Sequence, residues 1–487
     1  MTGPTPAGPA PTGTAPTSPA LTSTAPTSPA LSDTAPTSPA LTSTAPTSPA
    51  LSDTAPTSPA LSDTPLAGAG ERRTARLGVL RDPDFRRLWA GMTVSRLGSS
   101  VASVTTPLIA VQVLHASAFM VSLLTAAAWL PWLVIGLPAG AWIDRVTRKP
   151  VMLVSDLLAA VLVISVPVAA WTGALTMGHL LAVALLLGVA TVFFNVAWMA
   201  YLPAMFDKDD LIGANSALQS TESAAQVAGP AVGGLLMAAV SAVAGLVVDA
   251  VSFLFSAFVL WRIRRAERRP ASTTRAGIGT DIAEGARWVL HDRYLLNQTL
   301  YGAAANLWLT GINAISVVFL IREVGVGTAT VGLLFAAMGL GGVGAATLTP
   351  RLVRRLGGAR TLVGCKIFAG LASVLIPFTR PGLGLLVFVA GMLGVAAGTI
   401  AGNVVSASFR QAYCPPRLLG RVLTSMQFVN FGAIPVGALL GGALAGPLGA
   451  RGAIMLMAIG YAASGLILVL GPLRGRRDLP TAGTAPA

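Results

Sequence analysis

Lysine occurs only three times in the 487 residues, at Lys149, Lys208 and Lys366, and none of them lies in a glycine-rich Gly-Lys-Ser/Thr loop. The chain has no Walker A phosphate cradle, so any uphill work it does is not driven by ATP hydrolysed here. Two cysteines, Cys365 and Cys414, are too few for a disulfide framework or a zinc site of the usual spacing. Three histidines, with no His-Glu metal spacing and no nucleophile-base arrangement, argue against an enzyme. Charge is scarce as well: 11% of residues are charged and 53% are hydrophobic, where a soluble domain carries roughly 25% charged residues. Neither metal nor cofactor is expected, and the chain reads as an integral membrane protein.

What is present falls into a tail and a body. Residues 14–63 are five tandem copies of a ten-residue Thr-Ala-Pro-Thr-Ser-Pro-Ala-Leu unit ending in Thr-Ser or Ser-Asp. Two prolines per unit break helices, and one leucine per unit buries too little apolar surface to offset chain entropy, so 1–77 is expected to be a disordered arm. From Arg86 onward the sequence breaks into apolar runs of about 20 residues, the length needed to cross ~30 Å of hydrocarbon. Twelve are read, at 86–113, 119–142, 150–171, 178–202, 213–239, 243–263, 296–320, 328–350, 360–379, 383–407, 420–446 and 452–472. The expectation is an all-α integral membrane protein of twelve transmembrane helices in two six-helix bundles, 78–263 and 296–472. Between them lies a central loop, 264–295, in which Asp281-Ile-Ala-Glu284 has capping-box spacing ahead of Trp288 and Val289. This loop is read either as a short interfacial helix, with Ile282, Trp288 and Val289 on one apolar face, or as irregular linker. Residues 473–487 are expected to be a disordered tail.

Orientation follows from the basic residues. With both termini inside, 28 of the 33 Lys and Arg fall in inside segments, three (Arg322, Arg380, Arg451) in outside loops, and two (Arg96, Lys366) within the membrane. Such a bias is the positive-inside pattern of a multi-pass cell-membrane protein. The net charge of +14 therefore reports topology, not a nucleic-acid partner.

The two halves match each other. Arg145-Val-Thr-Arg148-Lys149 corresponds to Arg351-Leu-Val-Arg354-Arg355, Leu211-Ile-Gly213 to Leu418-Leu-Gly420, and Gly233-Gly234 to Gly441-Gly442, at offsets of 206 to 208. Parallel six-helix repeats are a transporter plan with the substrate site between the halves.

The residues themselves resemble the major facilitator superfamily. Gly140-Ala-Trp-Ile-Asp144-Arg145-Val-Thr-Arg148-Lys149 is similar to that family's Gly-x-x-x-Asp-Arg-x-Gly-Arg-Arg/Lys loop, with Thr147 in place of a glycine. Gly229-Pro230-Ala-Val-Gly233-Gly234 resembles the end of the motif of drug-exporting antiporters, with Ala225 where an earlier glycine is usual. With Ser95-Arg96-Leu97-Gly98, Leu202-Pro203 and Ala214-Asn215, the pattern looks closest to the enterobactin-exporter and macrolide-efflux branch. The resemblance implies the major facilitator fold, rocking alternating access and proton-driven export. It also implies a cytoplasmic latch at Gly140, Asp144, Arg145, Arg148 and Lys149, whose second-half copy (Arg351, Arg354, Arg355) has Pro350 in place of the acid. The run at 178–202 lacks the arginine that many drug exporters carry there.

Ionisable groups inside a bilayer are functional candidates by default. Five qualify: Arg96, Asp156, Glu222, Asp249 and Lys366. At ~1.5 Å per residue Arg96 and Glu222 both reach roughly 14–15 Å, near the midplane. They are read as a proton-responsive carboxylate and its partner, or as a structural ion pair. Asp156 and Lys366 are equivalent positions of opposite charge, 210 apart, and with Asp249 are expected at the periphery. Candidate cavity residues are Asn195, Trp198, Gln226, Asn306, Asn313, Asn403, Gln427 and Asn430, a lining suited to an amphipathic, weakly charged molecule. The expected function is a monomeric secondary transporter exporting a drug, antibiotic or siderophore on the proton gradient, with lipid and a small molecule as its only partners. An importer or lipid facilitator of the same fold, and a receptor or channel, are the alternatives.

Overall fold

The computed structural model describes residues 82–143, 145–205, 242–264 and 278–480, together with Ala214, Leu218 and Thr221. The repeat arm and most of the 213–239 run lie outside the described residues. The described elements are helices. Helix α1 (Pro83–Gln112) opens at Asp82, whose carboxylate accepts from the backbone N–H of Asp84 at 2.8 Å and Phe85 at 3.1 Å, with Pro83 in the first turn where its missing donor costs nothing. It is followed by α2 (Ala118–Ile143), α3 (Arg148–Trp171), α4 (Met177–Met205) and α5 (Ala242–Arg262). The linker gives α6 (Ile278–His291), and the rest α7 (Arg293–Val318, extended by a π turn, Phe319–Glu323), α8 (Thr328–Leu356), α9 (Gly358–Ser373), α10 (Leu385–Tyr413) and α11 (Pro416–Leu470). Two of the expected runs merge in α11, which is broken at Gly449 (φ 70°). Among the described residues, eight helices are long and apolar enough to cross a membrane.

These helices bury polar groups and expose apolar ones. On α3, Val154, Val161, Val168 and Trp171 are exposed while Ser155, Asp156 and Ala159 face inward. That arrangement suits hydrocarbon as the outer solvent, since every polar group must then be satisfied inside.

Helix pairing occurs twice over. In the first half α1 packs on α5, α2 on α4, and α3 on both α4 and α5; in the second, α7 packs on α11, α8 on α10, and α9 on both α10 and α11. The sequence repeat is thus a repeat of contacts, with α11 supplying the partner that α5 supplies in the first half. Among the described residues the halves meet chiefly where α2 lies on α11, with a smaller contact between α2 and α7.

Two segments depart from expectation. Helix α6 lies against α11 and α7, with Gly285 directly on the Arg421 carbonyl and Glu284 paired with the Arg421 guanidinium. Val289 faces inward, but Trp288, ~100° round the helix from it, and Leu290 are exposed, so the inward face is narrower than expected. The stretch expected to be a disordered tail from 473 is instead held as far as Pro480. Leu473 is buried, the Arg477 carbonyl accepts from Ala359 N–H at 3.0 Å, and the Asp478 carboxylate accepts from Gly358 N–H at 3.1 Å. Unsatisfied N–H groups at the start of α9 supply what the composition of the tail does not show.

Candidate functional site

Helices α1, α3, α4 and α5 bring polar side chains together around a cavity of about 60 Å³, lined by Ser95, Arg96, Ser99, Ser155, Asp156 and Asn195. Arg96 Nη2 donates to Asn195 Oδ1 at 3.0 Å, and Asn195 Nδ2 donates to the Thr191 carbonyl at 2.8 Å, which fixes the amide with its oxygen toward the arginine. Asp156 is buried, bonded to Ser256, and its Oδ2 has no hydrogen-bond partner among the described residues. Asp249 is equally buried, with the Ser99 and Ser252 hydroxyls each 3.4 Å from Oδ1 and Gly98 leaving the space that this contact needs. Both acids therefore sit inside the first half, not at its periphery. Glu222 and Gln226 lie outside the described residues.

The second half holds a related arrangement built from a different helix. Lys366 on α9 reaches α10, where its ammonium donates to Asn403 Oδ1 at 2.7 Å and to the Thr399 carbonyl at 3.4 Å, under the Tyr301 ring at 5.4 Å. A side chain at Gly402 would collide with the lysine stem, so that glycine is the slot through which Lys366 passes. Lys366 is buried within the half, again not peripheral. Asn195 and Asn403, equivalent by sequence, each carry a cation; in the first half it comes from α1, in the second from α9. Asn306 Nδ2 donates to the Asn430 carbonyl at 3.1 Å, and the Asn430 side chain lies on Gly302, so this pair joins α7 to α11. Asn313 and Gln427 are exposed. Trp198 packs with Phe85 and Tyr201 in a separate apolar cluster.

At the face carrying the 145–147 turn, Lys149 Nζ donates to the carbonyls of Ile263 at 2.5 Å and Trp261 at 3.3 Å, capping the C-terminal end of α5. Arg148 is buried and Arg145 exposed; Asp144 lies outside the described residues. At Gly140, the glycine of the implied latch, a Cβ would meet only Val196, at 4.0 Å. The tight approach of α2 to α4 falls instead at Gly188, directly on the Ala128 carbonyl. Arg351, Arg354 and Arg355 are all exposed. Gly229, Pro230, Gly233 and Gly234 lie outside the described residues, but their counterparts pack α11 tightly: Gly437 on the Leu307 carbonyl and Gly441 on Gly311.

The opposite face is a closed seam. Gly442 lies on Phe119 and Ser122; Ala126, Ala314 and Ala438 cluster below it; Trp129 and Trp132 hold Phe431 at centroid distances of 5.4 and 5.5 Å; Leu133 meets Gly432. Arg322 ties the halves together by donating to the Ala116 carbonyl at 2.7 Å. Glu323 Oε1 accepts from the N–H groups of Ala450 at 2.7 Å and Arg451 at 3.1 Å, capping the arm of α11 that follows Gly449. A cavity of about 520 Å³ opens between these elements. Sequence reasoning counted Arg322 and Arg451 only as loop charges, although their exception to the inside bias was the available signal.

Comparison with known proteins agrees with this architecture. The family model described as "Transmembrane secretion effector" matches residues 74–482. The multidrug efflux pump Tap of Mycolicibacterium fortuitum is 28% identical over 410 residues, covering 82% of this chain and 98% of the pump. Two solved structures share the fold: a bacterial homologue of the iron transporter ferroportin in an inward-facing state (TM-score 0.64, 17% identity, 81% of this chain and 99% of that one), and the nucleoside transporter NupG (TM-score 0.63, 12% identity, 80% and 98%).

Proposed function

Because the chain belongs to the transmembrane secretion effector family of the major facilitator superfamily, and so is a membrane transporter and not an enzyme, we propose that it exports an amphipathic small molecule, a drug, antibiotic or siderophore, on the proton gradient. Efflux by the Tap relative supports the direction and the substrate class. In this reading the 213–239 run is the fifth of twelve helices, both termini are cytoplasmic, and the 145–147 face is the cytoplasmic one.

The observation that carries the reading is the shape of the junction between the halves. Its glycine and ring contacts run from Phe119–Gly442 to Leu133–Gly432, while α2 continues to Ile143 and α11 begins at Pro416. Among the described residues these contacts lie toward one end of each helix, and in this reading that end is the closed outer face of an inward-open state. Rocking about the middle of this junction closes the cytoplasmic side and opens the seam. Glu222 is the proton-responsive carboxylate, with Arg96 and Asn195 as the neighbours that exchange partners when it is protonated. In the latch at the cytoplasmic face, Asp144 acts with Lys149, which is already committed to the end of α5.

Everted membrane vesicles test this directly. Accumulation of a fluorescent amphipathic dye is expected on imposing an acidic lumen and to stop when a protonophore collapses the gradient. Glu222→Gln is expected to abolish the gradient-driven component. Full accumulation without a gradient, or in Glu222→Gln, sinks the proton-coupled reading; accumulation only in right-side-out vesicles makes the protein an importer.

A further inference from the structure

Below Lys366, one face of α10 carries a line of polar side chains that the export mechanism does not use. Asn403, Ser406 and Arg410 stand at i, i+3 and i+7, so they share a face over ~10 Å of helix. Ser406 Oγ donates to Gln298 Oε1 on α7 and accepts from Arg410 Nη1 at 2.9 Å, placing the Gln298 amide and the Arg410 guanidinium on either side of one hydroxyl. Gln298 and Ser406 are buried, and both Gln298 Nε2 and Arg410 Nε are buried donors with no partner among the described residues.

The charge balance points the same way. No ion pair joins Lys366 or Arg410 to a carboxylate among the described residues. The carboxylates on this side of the half are spent elsewhere: Asp292 Oδ1 accepts from the N–H groups of Tyr294 and Leu295, both at 2.9 Å, and its Oδ2 from the Tyr413 hydroxyl at 2.5 Å; Glu284 pairs with Arg421, and Asp478 accepts from Gly358 N–H. A buried ammonium, a half-buried guanidinium and two unmet buried donor atoms are costly unless something negative accepts from them. Orphaned buried donors within two helical turns of uncompensated positive charge fit an anion better than a chain of waters, because water supplies acceptors without the charge.

We propose that Lys366, Gln298 and Arg410 form an anion-binding site inside the second half, taking either a carboxylate of the transported molecule or a free inorganic anion. Ser406 and Asn403 fix the donors in place, and Gly402 keeps open the slot for the lysine. The cargo source rests on the export reading; the site itself does not.

The purified full chain in detergent tests it through its melting temperature, titrated with sodium chloride, sodium benzoate or uncharged benzamide at an ionic strength held constant with sodium HEPES, whose sulfonate is carried on a bulky zwitterion. Saturable stabilisation by chloride assigns a free inorganic anion, and by benzoate alone an organic carboxylate; either supports the site. Lys366→Met is expected to remove the response, and Gln298→Ala, which keeps both charges and reads the site even where the lysine variant does not fold, to raise the midpoint about tenfold for one lost charge-assisted bond. Arg380→Gln, at an exposed position outside the site, is expected to respond as the parent does. No response to either anion, an equal response to benzamide, or an unchanged midpoint in the variants that fold overturns the site. Binding is read here without transport, so a chain that binds but does not export defeats only the export reading, and one that exports with no anion response defeats only the site.

Discussion

Lys149 shows how far a single residue can be read from sequence. Its place in a basic loop after the second apolar run was legible, and so was its contribution to orientation. What the sequence does not contain is the end of α5, more than a hundred residues away, whose last carbonyls receive the ammonium. Lysine near a helix C-terminus satisfies orphan carbonyls and favours the negative end of the dipole. Lys149→Met is therefore expected to destabilise the first half by about 1 kcal/mol, a lower melting temperature with no change in the second half's anion response. The same distinction holds for the intramembrane charges. That Asp156, Asp249 and Lys366 matter was readable from the cost of placing them in hydrocarbon. That they lie inside their halves was not, because inward and lipid-facing positions on a uniformly apolar helix differ only in what packs against them.

Among the elements, helix positions were the most legible part of the molecule, since a run long enough to cross a membrane is a strong signal. Where the structure differs, the reason is local. Helices α8 and α10 run past their expected ends at 350 and 407 to Leu356 and Tyr413, as turns that leave hydrocarbon can stay helical with polar residues. In α11 the break at Gly449 hides two helices in one, and the arm that follows depends on a cap supplied by a different helix. Glu323→Ala removes the acceptor for Ala450 and Arg451 and is expected to cost about 1 kcal/mol, with Glu323→Gln costing less because it retains an oxygen. Thermal melts of the two variants side by side check the order.

At the scale of the whole molecule, the closed seam is a balance of small contacts, so bulk placed in it should change which face is open. Gly442 has Ser122 and Phe119 directly against it, and Gly442→Trp is expected to wedge the seam apart. In a background lacking Cys365 and Cys414, Ala126→Cys reports this: position 126 is buried in the seam cluster, and its reaction with a water-soluble maleimide is expected to quicken about tenfold with the wedge, a population shift of roughly 1.4 kcal/mol. An unchanged rate would mean that the seam does not open as a unit. The final ten described residues add a condition of another kind, one of time. Gly358 and Ala359 receive their acceptors from Asp478 and Arg477, and the first of these bonds spans 120 residues. At ~5–20 residues per second, a ribosome needs on the order of 6–24 seconds to reach the aspartate after making the glycine. For that interval the start of α9 can be satisfied only by water, so the second half stays incomplete until the segment around Asp478 has been made.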